Sequence, residues 1–190
     1  YLVLSNKTDD VLSYLSDFSK VMRISLSNVT NKMVLLNDEI DFLNSYLRIE
    51  RMRFAEKFGF SVKINESLDP KAVKIPPYLI QPFAENAIQH GFMYNQVSGN
   101  LTISIEHSDS ETIKCTITDD GNRKLNPNDI DASGYDYPKP TAKKITETRI
   151  QLLNTESKPG HYHVEYSDLS DNEGNTAGLK VEIYLPFENA

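Results

Sequence analysis

The sequence predicts an α+β fold: a two-layer sandwich of a mixed β-sheet and helices, preceded by a helical hairpin. Residues 1–57 contain two stretches with the helical spacing of apolar residues. From residue 58 onwards, segments in which apolar and polar residues alternate are interrupted by two further helical segments. Strands that alternate in this way bury one face, so we expect the helices to cover that face of a single sheet.

Both helices of the predicted hairpin are identified by their periodicity and their ends. The first runs from Thr8 to about Val29, and apolar residues recur along it at intervals of three and four. The second runs from Asn37, which we predict as its cap, to about Lys57, and Gly59 ends it. Its apolar residues cover more than one stripe, which predicts that it packs against neighbours on two sides.

After the hairpin, the alternation in residues 58–64 predicts a strand. A pair of prolines at 76–77 then introduces a helix that ends at Gly91, whose missing side chain suits a left-handed C-cap. Pro82 lies inside this helix and lacks a backbone donor. We therefore expect either that the helix begins nearer Leu79 or that it bends at Pro82.

The second half of the chain is rich in predicted strands. Alternation predicts four of them, at 101–105, 113–117, 162–166 and 179–185. A helix is expected over residues 143–154. The acidic and proline-containing segment 119–140 predicts a long loop, and loops of that length in a compact domain are usually functional or disordered.

The composition excludes several classes of protein. The chain has 190 residues, 39% of them hydrophobic and 25% charged, and a formal net charge of −7, which is typical of an ordinary globular protein. A stripe of basic residues with interleaved aromatics is absent, so we expect no nucleic-acid partner. Apolar runs fall short of the roughly 20 residues that span a bilayer. Cys115 is the single cysteine, so no disulfide forms within the chain.

One segment, residues 75–91, is far more specific than the rest. It reads IPPYLIQPFAENAIQHG and resembles the N-box phrase iPplllQPlvENAikHG of LytS/YehU-type sensor histidine kinases, part of the GHKL ATPase superfamily. The matching residues are Pro76, Pro77, Leu79, Gln81, Pro82, Glu85, Asn86, Ala87, Ile88, His90 and Gly91. The resemblance implies a Bergerat-type, HATPase-like fold that binds ATP between the sheet and the helix of this segment, called the N-box helix below.

The resemblance extends towards the N-terminus. Residues 37–54 are similar to the family phrase eEleflenYleiekiRf, the helix that links the dimerisation and ATPase parts, and residues 14–23 are similar to yLskfsrllR. This implies partial dimerisation and phosphotransfer helices in residues 1–57 and an ATPase-like catalytic domain in residues 58–190. In the family the phosphoacceptor histidine lies shortly before these segments, so we expect it outside this sequence.

The family also implies partners and a location. We expect a homodimer in the full-length protein and the receiver domain of a response regulator as its partner. Membrane contact is expected only through segments N-terminal to this sequence. The chain would then be the cytoplasmic domain of an inner- or cytoplasmic-membrane protein.

The N-box supplies the first candidate site residues. Asn86 offers a neutral carbonyl oxygen, which suits Mg²⁺ in a site already crowded with triphosphate charge. Gln89 and His90 follow one helical turn later and are expected to donate to phosphates, although the family usually has lysine at the position of Gln89. Glu85 is either a catalytic residue or a surface residue that pairs with a neighbour.

A second candidate motif follows the predicted strand 113–117. The family has D-x-G-x-G here, and this chain keeps Asp119 and Gly121 but has Arg123 at the second glycine. In the family the aspartate accepts the adenine amino group. Arg123 either blocks the close approach of the backbone or supplies a cation for the phosphates. The alternative is that Asp119 and Asp120 cap the end of the strand in a turn, a common role for an Asp-Asp-Gly sequence.

The third family motif, GiGLkNvreRLkLL, is kept only in part. Arg149 and the leucines after it match its second half, whereas its two glycines fall on Pro140 and Ala142. Proline lacks the backbone amide that would bind phosphate. Lys143 is expected either to replace it in part by charge or to be an ordinary solvated lysine.

Two functions follow from these motifs. In the first, the chain is the ATP- and Mg²⁺-binding part of an ATP-dependent protein-histidine kinase, which transfers the γ-phosphoryl to a histidine outside this sequence and on to a response regulator. In the second, the chain is a degenerate, pseudokinase-like signalling scaffold that has lost nucleotide binding. Asn86 and Asp119 favour the first, and Arg123 and Pro140 favour the second. We expect the chain to bind ATP weakly, if at all, and residues 120–140 to be mobile without it.

Overall fold

The structure is a computed structural model that describes residues 8–28, 30–93, 98–121, 141–156, 162–170 and 176–190, with backbone alone at 141–147, 156 and 176. Four α-helices occur in these ranges: α1 (Thr8–Asn28), α2 (Leu36–Arg53), α3 (Gln81–Ala87) and α4 (Thr141–Glu156). The strands there are β1 (Val34–Leu35), β2 (Phe58–Ile64), β3 (Val73–Ile75), β4 (Gly99–His107), β5 (Thr112–Asp119), β6 (His163–Ser170), β7 (Thr176–Pro186) and β8 (Glu188–Asn189). The predicted α+β class is confirmed.

Five of these strands form one mixed sheet in the order β2-β4-β5-β7-β6. β2 pairs with β4 in parallel, and the other neighbours pair antiparallel. Odd-numbered residues of the central strands are buried, whereas the even-numbered residues between them are polar. Because side chains alternate across a strand, this sheet has one apolar face, and α2, α3 and Ile150 of α4 join the hydrophobic core that covers it.

A second, smaller sheet joins distant parts of the chain. β3 lies between β1 and β8 and pairs antiparallel with both. The sequence pattern did not predict these strands, because two or three residues are too few for an alternation to be recognised. The sheet brings the start of α2 next to the segment that leads into the N-box helix.

The predicted hairpin is formed by α1 and α2. Leu36, Leu43 and Leu47 of α2 are fully buried in the core, while another face of α2 contacts α1. There Arg48 donates two hydrogen bonds to Asp17, at 2.6 and 2.8 Å. The arginine holds the pKa of the Asp17 carboxyl below its usual range, mainly by the hydrogen bond. The two-sided packing of α2 is therefore confirmed.

The predicted ends of α2 are wrong. The helix begins at Leu36, and no side chain caps it, so Asn37 is not its cap. It ends at Arg53, after which Ala55 and Glu56 adopt left-handed conformations with φ of 50° and 58°. Gly59 lies in β2 instead of ending the helix.

The N-box helix also differs from its predicted bounds. It begins at Gln81, so Pro82 occupies the first turn, where a missing amide donor costs nothing. After Ala87 the chain continues as a π-helical turn, Ile88–Met93, and this turn contains Gly91. Gly91 is therefore not a left-handed C-cap.

Candidate functional site

The N-box helix turns its polar residues away from the core. Phe83, Ala84, Ala87 and Ile88 are buried beneath it, while Glu85, Asn86, Gln89 and His90 are partly exposed. This division follows from the sequence, because the apolar residues recur at the three- and four-residue spacing of one helix face. All four predicted N-box residues thus lie on one accessible side of the helix.

Glu85 and Gln89 contact each other. The amide Nε2 of Gln89 donates to Oε1 of Glu85 at 3.0 Å. Glu85 also lies near α2, where burial and then the charge of Glu85 raise the pKa of Glu50, against the opposing charge of Arg53. The pairing role predicted as one alternative for Glu85 is thus present in the structure, and a catalytic role for it stays a prediction.

Asp119 lies against the end of the N-box helix. It is the last residue of β5 and has the same parity as Ile113, Cys115 and Ile117, so it points to the apolar face of the sheet and is only 1% exposed. A methyl group placed on Gly91 would lie 2.9 Å from its Oδ1 atom. Because glycine has no side chain, the helix and the carboxylate can approach this closely.

Gly121 and Asp120 complete the turn after β5. A methyl group on Gly121 would overlap the backbone carbonyl of Gly91, so two glycine backbones meet here. Asp120 accepts hydrogen bonds from the backbone N–H and the side-chain amide of Asn100 on β4. The turn-capping role considered for Asp119 therefore falls to Asp120, and Asp119 faces the N-box helix.

Some predicted site residues lie outside the described part of the chain. These are Arg123, the whole of residues 122–140 with Pro140, and the side chain of Lys143. Arg149, which matches the third family motif, is half-buried on α4, and burial lowers the pKa of its guanidinium. The predicted mobility of residues 120–140 stays a prediction.

A pocket of about 290 Å³ lies beside the end of the N-box helix. Arg53, Phe54 and Lys57 line it from the end of α2, and Phe92 and Met93 line it from the π-helical turn. Asn86 and Asp119 are not among the residues that line it. The pocket is therefore separate from the space that the two candidate nucleotide residues face.

The sequence analysis missed Glu39. This carboxyl group is only 1% exposed, and burial raises its pKa to about 7, although the amides of Tyr78, Leu79 and Ile80 and the charge of Arg149 oppose the rise. Glu39 lies in the first turn of α2, where an acidic residue is usually solvated. It stands three residues after Leu36 and four before Leu43, which places it on the same helix face as these leucines. This spacing could have predicted that Glu39 is buried.

The described part of the chain contains no helix that is long and apolar enough to cross a bilayer. Within the same part, no three histidine, cysteine, aspartate or glutamate side chains come together as a metal cluster.

Comparison with protein families finds the histidine kinase family, whose model matches residues 1–58. Among curated proteins, the chain is 27% identical over 197 aligned positions to the sensor protein LytS of Oceanobacillus iheyensis, covering 97% of this chain and 30% of that protein. It is 30% identical to the sensor protein LytS of Bacillus subtilis, covering 78% of this chain and 23% of that protein. The chain thus spans less than a third of the length of these relatives.

Solved structures share the fold. The mycobacterial sensor histidine kinase MprB superposes with a TM-score of 0.54 at 15% identity and covers 83% of this chain, with 98% of its own length aligned. The catalytic domain of histidine kinase ThkA gives 0.54 at 11% identity, with 81% of this chain and 94% of that one covered. Full-length ShkA in complex with AMPPNP gives 0.56 at 13% identity over all of this chain and 39% of that one.

Proposed function

Because the chain belongs to the LytS-type sensor histidine kinases, we propose that it is the ATP-binding part of such a kinase. Its parent protein would transfer the γ-phosphoryl of ATP to a histidine outside this sequence and then to the receiver domain of a response regulator. Catalysis of this kind depends mainly on positioning and on neutralising charge, so the task of this chain is to hold the substrate.

The contact between Asp119 and the N-box helix is the observation that carries the proposal. A carboxylate is a strong hydrogen-bond acceptor, so Asp119 would pair with a ligand that offers an N–H donor. The amino group of adenine is such a donor, whereas guanine presents a carbonyl oxygen at the same place. Asp119, the most buried of the candidate residues, would therefore select the base, and the 2.9 Å approach to the Gly91 position would keep it at the edge of the helix.

Asn86 is proposed to bind the metal. Its side chain is partly exposed on the same helix that reaches Asp119 at Gly91, so one helix would contact both ends of the nucleotide. Mg²⁺, when bound, neutralises phosphate charge. Asn86 would orient it through a neutral oxygen without adding a further negative charge. Bound AMPPNP in full-length ShkA, which shares the fold, supports nucleotide as the ligand.

A second candidate is the pseudokinase-like scaffold without nucleotide binding. The hydrogen bond from Gln89 to Glu85 favours it, because this amide is then engaged within the helix instead of with phosphates. The proline at 140, where the family has a glycine, also favours it. A titration distinguishes the two functions.

We expect calorimetric titration with Mg·ATP to give weak binding, with a dissociation constant of about 0.1–1 mM. Asn86→Ala and Asp119→Ala should each weaken it about tenfold, beyond detection, because a polar contact to a charged group is worth at least about 1.4 kcal/mol. Asn44→Ala is the matched control, since this amide bonds only to its own helix at Ile40.

Three outcomes decide between the functions. Low-micromolar binding would contradict the expected loss of affinity and favour a fully active kinase. Binding that is indifferent to both alanine substitutions would overturn the site assignment. No measurable binding in the unmodified chain would favour the scaffold.

We further propose that the parent protein dimerises through α1. Apolar side chains at three- and four-residue spacing form an exposed stripe along this helix: Leu12, Leu15, Phe18, Met22 and Leu26, between 45% and 71% exposed. A continuous apolar patch of this kind marks an interaction surface. The family model covers residues 1–58, which supports the proposed division into dimerisation helices in 1–57 and a catalytic domain in 58–190.

Leu15→Gln combined with Leu26→Gln should weaken self-association of the chain about thirtyfold or more in sedimentation equilibrium, because burial of each exposed leucine in the interface would contribute about 1 kcal/mol. Leu152→Gln is the control, since Leu152 is 60% exposed on another helix. Equal effects of the two changes would show that the association is unspecific. We place the dimer on the cytoplasmic side of a membrane-anchored parent.

A further inference from the structure

The α1–α2 hairpin meets the N-box segment at one buried point. Glu39 in the first turn of α2 accepts a hydrogen bond from the backbone N–H of Tyr78 at 3.0 Å. The other oxygen of this carboxylate, Oε1, is buried with no hydrogen-bond partner among the described residues. Tyr78 is three residues before Gln81, where the N-box helix begins.

Tyr78 in turn contacts the end of α1. Its hydroxyl group donates to the backbone carbonyls of Ile24 and Ser25, at 3.3 and 3.2 Å. The last four carbonyls of a helix lack partners within the helix, so the bond to Ser25 satisfies a group that α1 leaves open. The ring also packs edge-on against Phe42 of α2, with centroids 5.2 Å apart. We call Glu39, Tyr78 and the last turn of α1 the joint.

The backbone of Tyr78 is strained. Its φ is 58°, a left-handed conformation that side chains with a Cβ rarely adopt. Such a conformation persists only where the surroundings fix it. Here the hydrogen bond that the Tyr78 N–H donates to Glu39 fixes the backbone amide. The bonds that its hydroxyl group donates to α1 fix the phenol.

The segment between the joint and the N-box helix is short and buried. Leu79 and Ile80 are fully buried, and the carbonyl of Ile80 accepts the first backbone bonds of the helix, from Phe83 and Ala84. Only the two buried residues Leu79 and Ile80 separate Tyr78 from this helix, so a shift of Tyr78 would move its first turn. Asn86 lies one turn and a half further along the same helix.

We propose that the joint couples the α1–α2 hairpin to the N-box helix, so that Glu39 and Tyr78 are positioning residues for Asn86. A displacement of α1 would pull on the Tyr78 hydroxyl and change the start of the helix that carries the candidate metal ligand. The consequence for nucleotide rests on the proposed function, whereas the mechanical coupling does not.

Hydrogen–deuterium exchange of the unmodified chain and of Tyr78→Phe tests the coupling without any nucleotide. Removing the phenol should raise exchange about fivefold in two separate regions, the last turn of α1 and residues 81–88, and leave β5 unchanged. Glu39→Gln should raise exchange in residues 81–88, because the neutral amide is a weaker acceptor and brings a buried N–H₂ without a partner. Tyr184→Phe and Glu106→Gln are the matched controls on the sheet.

The results separate the coupling from ordinary stability and from the function. A change confined to α1, or an equal rise over the whole chain including β5, would overturn the coupling. With coupling present, Tyr78→Phe should also raise the Mg·ATP dissociation constant about threefold or more. If the unmodified chain binds no Mg·ATP, the proposed function fails, and the exchange pattern alone decides on the joint. Should Glu39→Gln fail to fold, Tyr78→Phe decides it.

Discussion

Gly178→Ala is expected to destabilise the fold by about 4 kcal/mol. Gly178 has φ of 153°, and a methyl group there would overlap the backbone oxygen of Asp119 on the neighbouring strand. Neither group can rotate away, because both belong to paired strands: Asp119 pairs with Leu179 at the end of the β5–β7 ladder, and Gly178 itself pairs with Leu169 of β6. Overpacking and an unfavourable backbone conformation each cost about 1–3 kcal/mol.

Urea unfolding of the variant and of Gly59→Ala measures this cost. Gly59 also lies in a strand, but a methyl group there would meet only the side-chain oxygen of Asn100, which can turn aside. We expect the control to change the free energy of unfolding by less than about 1 kcal/mol. Similar losses in both variants would show that strand glycines in general, and not the contact with Asp119, explain the result.

The same contact ties stability to the candidate site. Gly178 of β7 lies directly against the backbone of Asp119, and Gly91 of the N-box helix lies directly against its carboxylate. Two positions without side chains thus fix one acidic residue. Gly178→Ala should therefore weaken Mg·ATP binding even in conditions where the protein stays folded.

The sequence predicts best those parts of the fold in which buried residues recur at regular intervals along the chain. The central strands alternate because only one face of the sheet is covered, and the N-box helix keeps its apolar stripe over the same core. Asp119 was predicted from a motif, and its parity with Ile117 then explains why it faces the helix.

The parts that the sequence predicted badly depend on contacts between distant segments. Ala55 and Glu56 end α2 in left-handed conformations that their residue types do not suggest, while Gly59, the expected stop, continues into a strand. Gly91 was predicted to adopt a left-handed backbone conformation that ends the helix. In the structure its role is different: because it has no side chain, Asp119 can lie close to it. Local propensity cannot reveal such a use, since the partner, Asp119, is remote in sequence.

Buried acids show the same limit. An acid in the first turn of a helix usually lies in solvent and interacts favourably with the helix dipole, but Glu39 is buried. Its burial results from the small sheet and from Tyr78, which bring the N-box segment over the start of α2. Only the positions of Leu36 and Leu43 around it indicated a place on the buried face.

Glu39 is expected to make the stability of the chain depend on pH, with a sign opposite to that of a salt-bridged acid. Burial raises its pKa from 4.5 to about 7 in the folded protein. Below pH 4.5 both states hold the proton, and the contribution of the neutral group is fully present. As the pH rises, the unfolded chain ionises first, so stability is lost until the folded state ionises near pH 7, by about 3 kcal/mol in all.

Glu39→Gln does not titrate at this position and should lack that loss. Other groups that face the carboxylate are Arg149, Tyr78 and Cys115, and none of them changes charge between pH 5 and 8, since burial raises the pKa values of the phenol and the thiol. Denaturant unfolding at steps from pH 4.5 to 8 should therefore show the variant gaining about 3 kcal/mol relative to the unmodified chain, with Glu106→Gln as the exposed control. A difference that stays constant with pH would mean that folding leaves the pKa of Glu39 unchanged, and a difference that moves in the other direction would mean that folding lowers it.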